Sequence, residues 1–123
     1  MTITTAELLA RHCAHCEQGL SAAQVQNYLS AVAGWQVENG KADGNIVKTF
    51  AFQNYYETLA FVNAIAYVIH AEDHHPDLLV GYNRCTVKFN THSVNDGKGG
   101  LSENDFICAA KVDAVFATAS THR

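Results

Sequence analysis

The sequence predicts an α+β fold, a two-layer sandwich in which a four-stranded antiparallel sheet carries its helices on one face. Three observations lead there. Short runs with alternating side chains come in two pairs, each joined by turn residues, Asn39-Gly40 through Asp43-Gly44 in the first and Gly81-Tyr82-Asn83 in the second. Strands joined as hairpins make an antiparallel sheet. Helical patterns precede, separate and follow the pairs, so the order reads helix, hairpin, long helix, hairpin, helix. Finally, 123 residues with 48% hydrophobic and 16% charged side chains suffice for one hydrophobic core.

Residues 1–20 show weak periodicity and read as a flexible N-terminal arm, with a short helix near Ala6–Arg11; residues 21–123 read as the single domain. Ser21 caps a helix whose apolar positions Val25, Leu29 and Val32 recur at helical spacing, and Gly34 stops it. Trp35–Glu38 and Ile46–Phe52 are the strands of the first hairpin. Asn54 caps a long helix whose run LAFVNAIAYVI is apolar on nearly every side. A surface helix shows one apolar stripe, so this one is expected to be buried on more than one side. It ends around Asp73–His75, because the residue before Pro76 avoids helical backbone. Leu78–Val80 and Cys85–Thr91 form the second hairpin, Asn95–Gly100 a flexible loop, and Ser102 caps the last helix with Asp105 in a capping-box-like position.

The net charge of −4 and the lack of any Lys/Arg cluster argue against nucleic-acid binding or a polybasic membrane contact. No apolar run is long enough to span a bilayer, and MTITTAELLARHC does not look like a signal peptide, so a cytoplasmic protein is expected. Cys13, Cys16, Cys85 and Cys108 are expected as free thiols.

The stretch HAEDHHPD, residues 70–77, gathers three of the seven histidines beside the only proline. His70 and His74 share a helical face and could hold a metal, but the glutamate of the H-E-x-x-H pattern is displaced by one to Glu72. Cys13-Ala-His-Cys16 has no second C-x-x-C to complete a closed zinc site, nor the βα context of a redox motif. No metal site is expected. Proton transfer asks less of geometry. Histidine both gives and takes protons near neutral pH. His74 and His75 lie where a helix breaks, and His92 lies at a strand end that can approach it. The plain reading, a solvated or structural residue, is preferred for His12, His70 and His122. Asp105 has its plain reading too, as a helix cap.

The ordered set His70-x-x-x-His74-His75-Pro76, Tyr82, His92 and Asp105, with Gly34-Trp35 before it and Gly100-Leu101-Ser102 within it, resembles the pterin-4a-carbinolamine dehydratases over residues 20–118. The loop Asn95–Gly100 is a few residues longer than in the animal proteins, which changes one rim of the pocket. The resemblance implies dehydration of 4a-hydroxytetrahydrobiopterin to quinonoid dihydropterin, without metal or organic cofactor, recycling the pterin of aromatic amino-acid hydroxylases. It implies His74 and His92 as acid/base groups, with His75 mainly binding the pterin. Pro76 and Thr91, His92, Ser93 and Val94 would line the pocket, and Asp105 would stand behind His92. It also implies a homodimer or homotetramer. The alternative is a non-catalytic binding or regulatory module of the same fold, partnering a hydroxylase or a transcription factor.

Overall fold

The computed structural model describes residues 2–38 and 44–121. Its elements run α1 (Thr5–Ala10), α2 (Ala22–Leu29), β1 (Gln36–Val37), β2 (Ile46–Ala51), α3 (Tyr55–Glu72), β3 (Asp77–Val80), β4 (Arg84–Phe89) and α4 (Glu103–Thr121). The four strands form one sheet in the order β1-β2-β4-β3, every neighbour antiparallel. This is the α+β sandwich read from the sequence. The turn expected over Asn39–Gly44 lies outside the described residues save for Gly44.

Register sets the two faces of the sheet. Ile46 pairs with Phe89 and Phe50 with Cys85, and all four are buried. Successive strand residues point to opposite faces, so Val47, Thr49 and Leu79 fall on the other, open side, where Leu79 is 70% exposed. Lys48 shares the buried face. Its Nζ reaches 2.9 Å from Asp113 Oδ1 of α4, while Trp35 Nε1 donates to both oxygens of the same carboxylate at 3.1 Å. Pairing on a partly buried carboxylate lets a cation and an indole N–H sit beside an aromatic core. Gly34 lies against this lysine with φ +88°, and a Cβ there would come within 3.0 Å of Lys48 Cε. Phe50, Phe61 and Phe116 pack ring to ring between sheet and helices.

The side chains that start the helices do what their types dictate. Ser21 and Gln24 form a reciprocal capping box, and the Asn54 side chain accepts from Glu57 N–H. The long helix α3 stops at Asp73, which takes left-handed φ 51°, and Pro76 follows. Two expectations need correction. Among the described residues α3 is covered along one stripe only, Thr58, Phe61, Ile65 and Glu72, while Tyr56 and Tyr67 are 81% and 79% exposed. Much of its apolar character is alanine, at Ala60, Ala64, Ala66 and Ala71, all on the open side. Alanine favours the helix wherever it stands and does not require burial.

The second correction concerns residues 2–20, expected as an arm apart from the domain. Thr4 and Glu7 form a capping box that starts α1, and Leu8 is 0% exposed against the core. Arg11 Nη1 pairs with Glu103 at 2.8 Å, and Leu20 N–H donates to Leu101 O. The segment is short and weakly periodic by itself, but buried Leu8, half-buried Ile3, Cys13 and Leu20 and a row of polar fastenings dock it. No helix among the described residues is long and apolar enough to cross a membrane.

Leu8→Ala is expected to lower the unfolding free energy by about 2–5 kcal/mol, the usual cost of emptying a buried leucine site. Urea denaturation measures this. A loss under about 0.5 kcal/mol, typical of a surface position, would remove α1 from the core.

Candidate active site

The α3 terminus, the segment after β4, the start of α4 and the N-terminal segment meet around a cavity of about 400 Å³. From α3 and the turn after it come Glu72, Asp73, His74 and His75; from the end of β4 come Asn90, Thr91, His92 and Ser93. Asn104 enters from α4, and Cys13, Ala14 and His15 from the N-terminal segment.

One buried carboxylate holds three of these pieces together. Asp105 is 0% exposed. Its Oδ1 lies 2.7 Å from His74 Nε2, and its Oδ2 accepts from Thr91 Oγ1 and from Ser102 N–H, both at 2.9 Å. Thr91 Oγ1 also lies 2.7 Å from Ser102 Oγ. Asp105 is therefore both the cap foreseen for the last helix and a part of the site. With Oδ1 accepting from Nε2–H, the His74 tautomer is set and Nδ1 remains to exchange a proton. The ring lies nearly parallel to Phe89, 9° between planes at 5.9 Å. His74 is thus fixed on one edge and one face, and 13% of its side chain is exposed.

His75 and His92 are exposed at the same cavity. Thr91 is placed by paired backbone bonds with Gly100, at 2.9 and 3.2 Å, which close the loop between them. Within that loop Asn95, Asp96, Gly97 and Gly99 all have positive φ.

The structure thus brings His74, His75, Thr91, His92 and Ser93 together at one cavity. It does not bring Pro76 or Val94 there. Pro76 is half-buried outside the lining, and Val94 is 0% exposed, packed inward beneath the loop. Asp105, expected behind His92, bonds His74 instead, because the first turn of α4 faces the broken end of α3. His70 is exposed on the last turn of α3, away from the lining, and His122 lies outside the described residues. Among the described residues, no three His, Cys, Asp or Glu side chains converge as a metal site would need.

These residues match a known family in both sequence and fold. A family model described as Pterin 4 alpha carbinolamine dehydratase matches residues 18–115. The chain belongs to this family. A relative from Bdellovibrio bacteriovorus, named "Putative pterin-4-alpha-carbinolamine dehydratase", is 56% identical over 89% of this chain and 88% of its own. One of the same name from Nitrosomonas eutropha is 53% identical over 87% of this chain and 91% of its own. The crystal structure of a transcriptional coactivator/pterin dehydratase from Brucella melitensis is similar with TM-score 0.71 and 30% identity, covering 80% of this chain and 98% of that one. A pterin dehydratase-like protein identified as a RuBisCO assembly factor in the alpha-carboxysome gives TM-score 0.54 at 25% identity, over 67% of this chain and 88% of its own.

In this member of the pterin carbinolamine dehydratase family, a second carboxylate organises the other side of the cavity. Glu72 closes α3 with only 4% of its side chain exposed. It accepts from Cys13 N–H at 2.7 Å and from His12 Nδ1 at 2.9 Å, with Lys111 Nζ 3.5 Å away. Burial opposes ionisation, but the Cys13 and His12 hydrogen bonds and the Lys111 charge outweigh it and hold the carboxyl below its usual 4.5. Asn104 clamps the neighbouring peptide from both sides, accepting from Ala14 N–H at 3.1 Å and donating to Ala14 O at 2.7 Å. Beneath them Cys13 Sγ and Cys108 Sγ are 3.5 Å apart, and the hydrogen bond with Cys13 and burial push the Cys108 thiol far up, so it stays protonated. Little in the residue pattern marked Cys13, Ala14, His15 or Asn104 for the site. The T-x-x-E pattern of Thr4–Glu7 does mark a helix start, and a docked helix carries the residues after it to the cavity.

A carboxyl held below its unfolded pKa stabilises the fold above that unfolded value, and the contribution disappears as pH falls through the folded pKa. Glu72→Gln is therefore expected to melt lower than wild type at about pH 7, with the gap closing as pH drops below about 4.5. Thermal unfolding across pH reads this directly. A gap that stays constant down to about pH 3 would show that the carboxylate charge is irrelevant.

Proposed function

We propose that the chain dehydrates a 4a-hydroxytetrahydropterin, releasing water and a quinonoid dihydropterin, by histidine acid/base catalysis. The observation that carries this reading is the gathering of His74, His75 and His92 at one cavity, with His74 fixed by a buried aspartate. Membership of the dehydratase family supplies the substrate class.

The reaction breaks the C4a–O bond and forms C4a=N5. Hydroxide leaves poorly, so a proton must be delivered to the departing oxygen, and the N5 proton must be taken by a base. Two imidazoles in opposite protonation states perform both transfers and end with the proton exchanged between them. His74 and His92 are assigned this pair. Asp105 suits His74 to the base role, because a carboxylate on Nε2 fixes the tautomer and supplies a counter-charge when Nδ1 takes a proton. His92, exposed at the same cavity, is assigned the acid. His75, next to His74, is assigned to binding the pterin, with Thr91 and Ser93 as further lining. The chemistry needs only proton transfer, so no metal or organic cofactor enters this reading.

In the cell the substrate would come from an aromatic amino-acid hydroxylase, whose oxygenated pterin is this carbinolamine. We place the working unit at a homodimer or homotetramer. The short edge strands β1 and β3 and the open aromatic side of α3 support that, since an unpaired strand edge is a template for pairing. A binding-module reading is favoured by one feature, the exposed Tyr55 and Tyr82 rings stacked 6.5 Å apart at one end of α3. Co-purification with a hydroxylase and no rate above background would support it.

Stopped-flow dehydration of the synthetic carbinolamine tests the catalytic reading. The His74→Ala, His92→Ala double variant is expected to lose about 10²–10⁴-fold in kcat, with each single variant losing part of that. Asp105→Asn is expected to lower kcat and to move its pH profile, because the amide presents a donor where a carboxylate accepted. A double variant as fast as wild type would sink the assignment.

A further inference from the structure

We propose that residues Cys13–Glu17 form a strap that completes the binding site, and that His15 is a substrate-contacting residue on it. The proposal rests on the dehydratase reading and adds a specificity group to it.

The strap is fastened at both rims of the cavity. On the α3/α4 rim Glu72 accepts from Cys13 N–H at 2.7 Å, and Asn104 holds both polar groups of the Ala14 peptide. On the opposite rim Ser93 Oγ donates to Cys16 O at 3.2 Å, and Asn95 N–H donates to Glu17 O at 2.9 Å. These five bonds tie four positions of one short segment to three different parts of the fold. Between the two sets of fastenings stands His15, which lines the cavity. Both of its neighbours, Ala14 and Cys16, are spent on the strap itself.

Exposure and fixation separate His15 from His74. The His74 side chain is 13% exposed and bound to Asp105, whereas that of His15 is 71% exposed, with only a 4.0 Å approach to Glu17. With His74 at the buried wall and His15 at the solvent-open strap, the proposal assigns the reacting C4a–N5 edge of a pterin to His74 and its outer, non-reacting part to His15. The imidazole offers a donor and an acceptor there, suited to hydroxyl or amide groups at the outer edge of the ligand. A contact to a non-reacting part made equally in ground and transition states changes KM and leaves kcat alone.

The test pairs binding with turnover. Fluorescence titration with 7,8-dihydrobiopterin, which cannot lose water, gives Kd, and the stopped-flow assay gives KM and kcat. His15→Ala is expected to raise Kd and KM about three- to tenfold, the value of one hydrogen bond, with kcat within about twofold of wild type. His15→Gln, which keeps a donor and an acceptor, is expected to recover most of the affinity. The unfolding midpoint of both variants is expected to match wild type, since the side chain is exposed. If wild type binds and dehydrates but His15→Ala binds the dihydropterin equally well, the strap proposal falls and the dehydratase reading stands. A loss confined to kcat overturns it in the same way. If wild type itself neither binds the dihydropterin nor dehydrates the carbinolamine, both readings fall together.

Discussion

The architecture of the site depends on one interaction, the buried carboxylate of Asp105 shared among three chain segments. Taking a carboxylate out of water costs several kcal/mol after relaxation unless donors replace the lost solvent. Here the donors come from the α3 terminus through His74, from the end of β4 through Thr91 and from the start of α4 through Ser102. Each segment is held to the others because the carboxylate would be left short of donors without them. The same bonds that make the burial tolerable also bring a strand end to a broken helix. The geometry of the cavity is therefore a by-product of satisfying a buried charge, and deleting any one donor disturbs the other two.

Glu72 plays the matching part on the other side. It is the last residue of α3, and its carboxylate faces the N-terminal segment rather than solvent. Asp73, the next residue, sits in the left-handed region at φ 51°, a conformation aspartate takes more readily than most non-glycine residues. Its neighbours fix it there. Glu72 is fixed before it by Cys13 and His12, and His74 after it by Asp105 and the face of Phe89. With both neighbours pinned, Asp73 has no other way to join them, and the sharp reversal aims His74 and His75 at the cavity.

Local signals made most of the fold legible. Ser21, Asn54 and the Ser102–Asp105 pair each announced a helix start through a side-chain oxygen three residues from its donor, and Pro76 marked the break after α3. The strand faces followed from alternation. What stayed hidden was tertiary. Asn104 and Ala14 are ninety positions apart, and nothing in either residue type suggests the other. The segment before Ser21 lacked a periodic apolar face because its apolar anchors, Ile3, Leu8, Cys13 and Leu20, fall at irregular intervals and polar groups do the rest. The long helix misled in the opposite direction, since alanines on its open side count as apolar in the pattern although nothing among the described residues covers them. In the site, the histidines were legible because their chemistry is unusual, whereas Asp105 was placed behind the wrong one, since only the packing of α4 against the end of α3 decides which imidazole it meets.

The two carboxylates also explain how histidines at irregular backbone positions are held at the cavity. None of His74, His75 and His92 lies inside a helix or strand. Backbone ladders cannot hold them, so side chains must. His74 is held directly, by a carboxylate and an aromatic face. His92 is held through its predecessor, because Thr91 pairs its backbone with Gly100 and its hydroxyl with Asp105 and Ser102. His75 has the adjoining fixed residue His74 on one side and Pro76, with its restricted φ, on the other. The three rings thus differ in how closely the fold fastens them, in the order the proposed roles ask. The group assigned as base is clamped at an atom, the group assigned as acid is clamped one residue away, and the group assigned to binding keeps the freedom to follow its ligand.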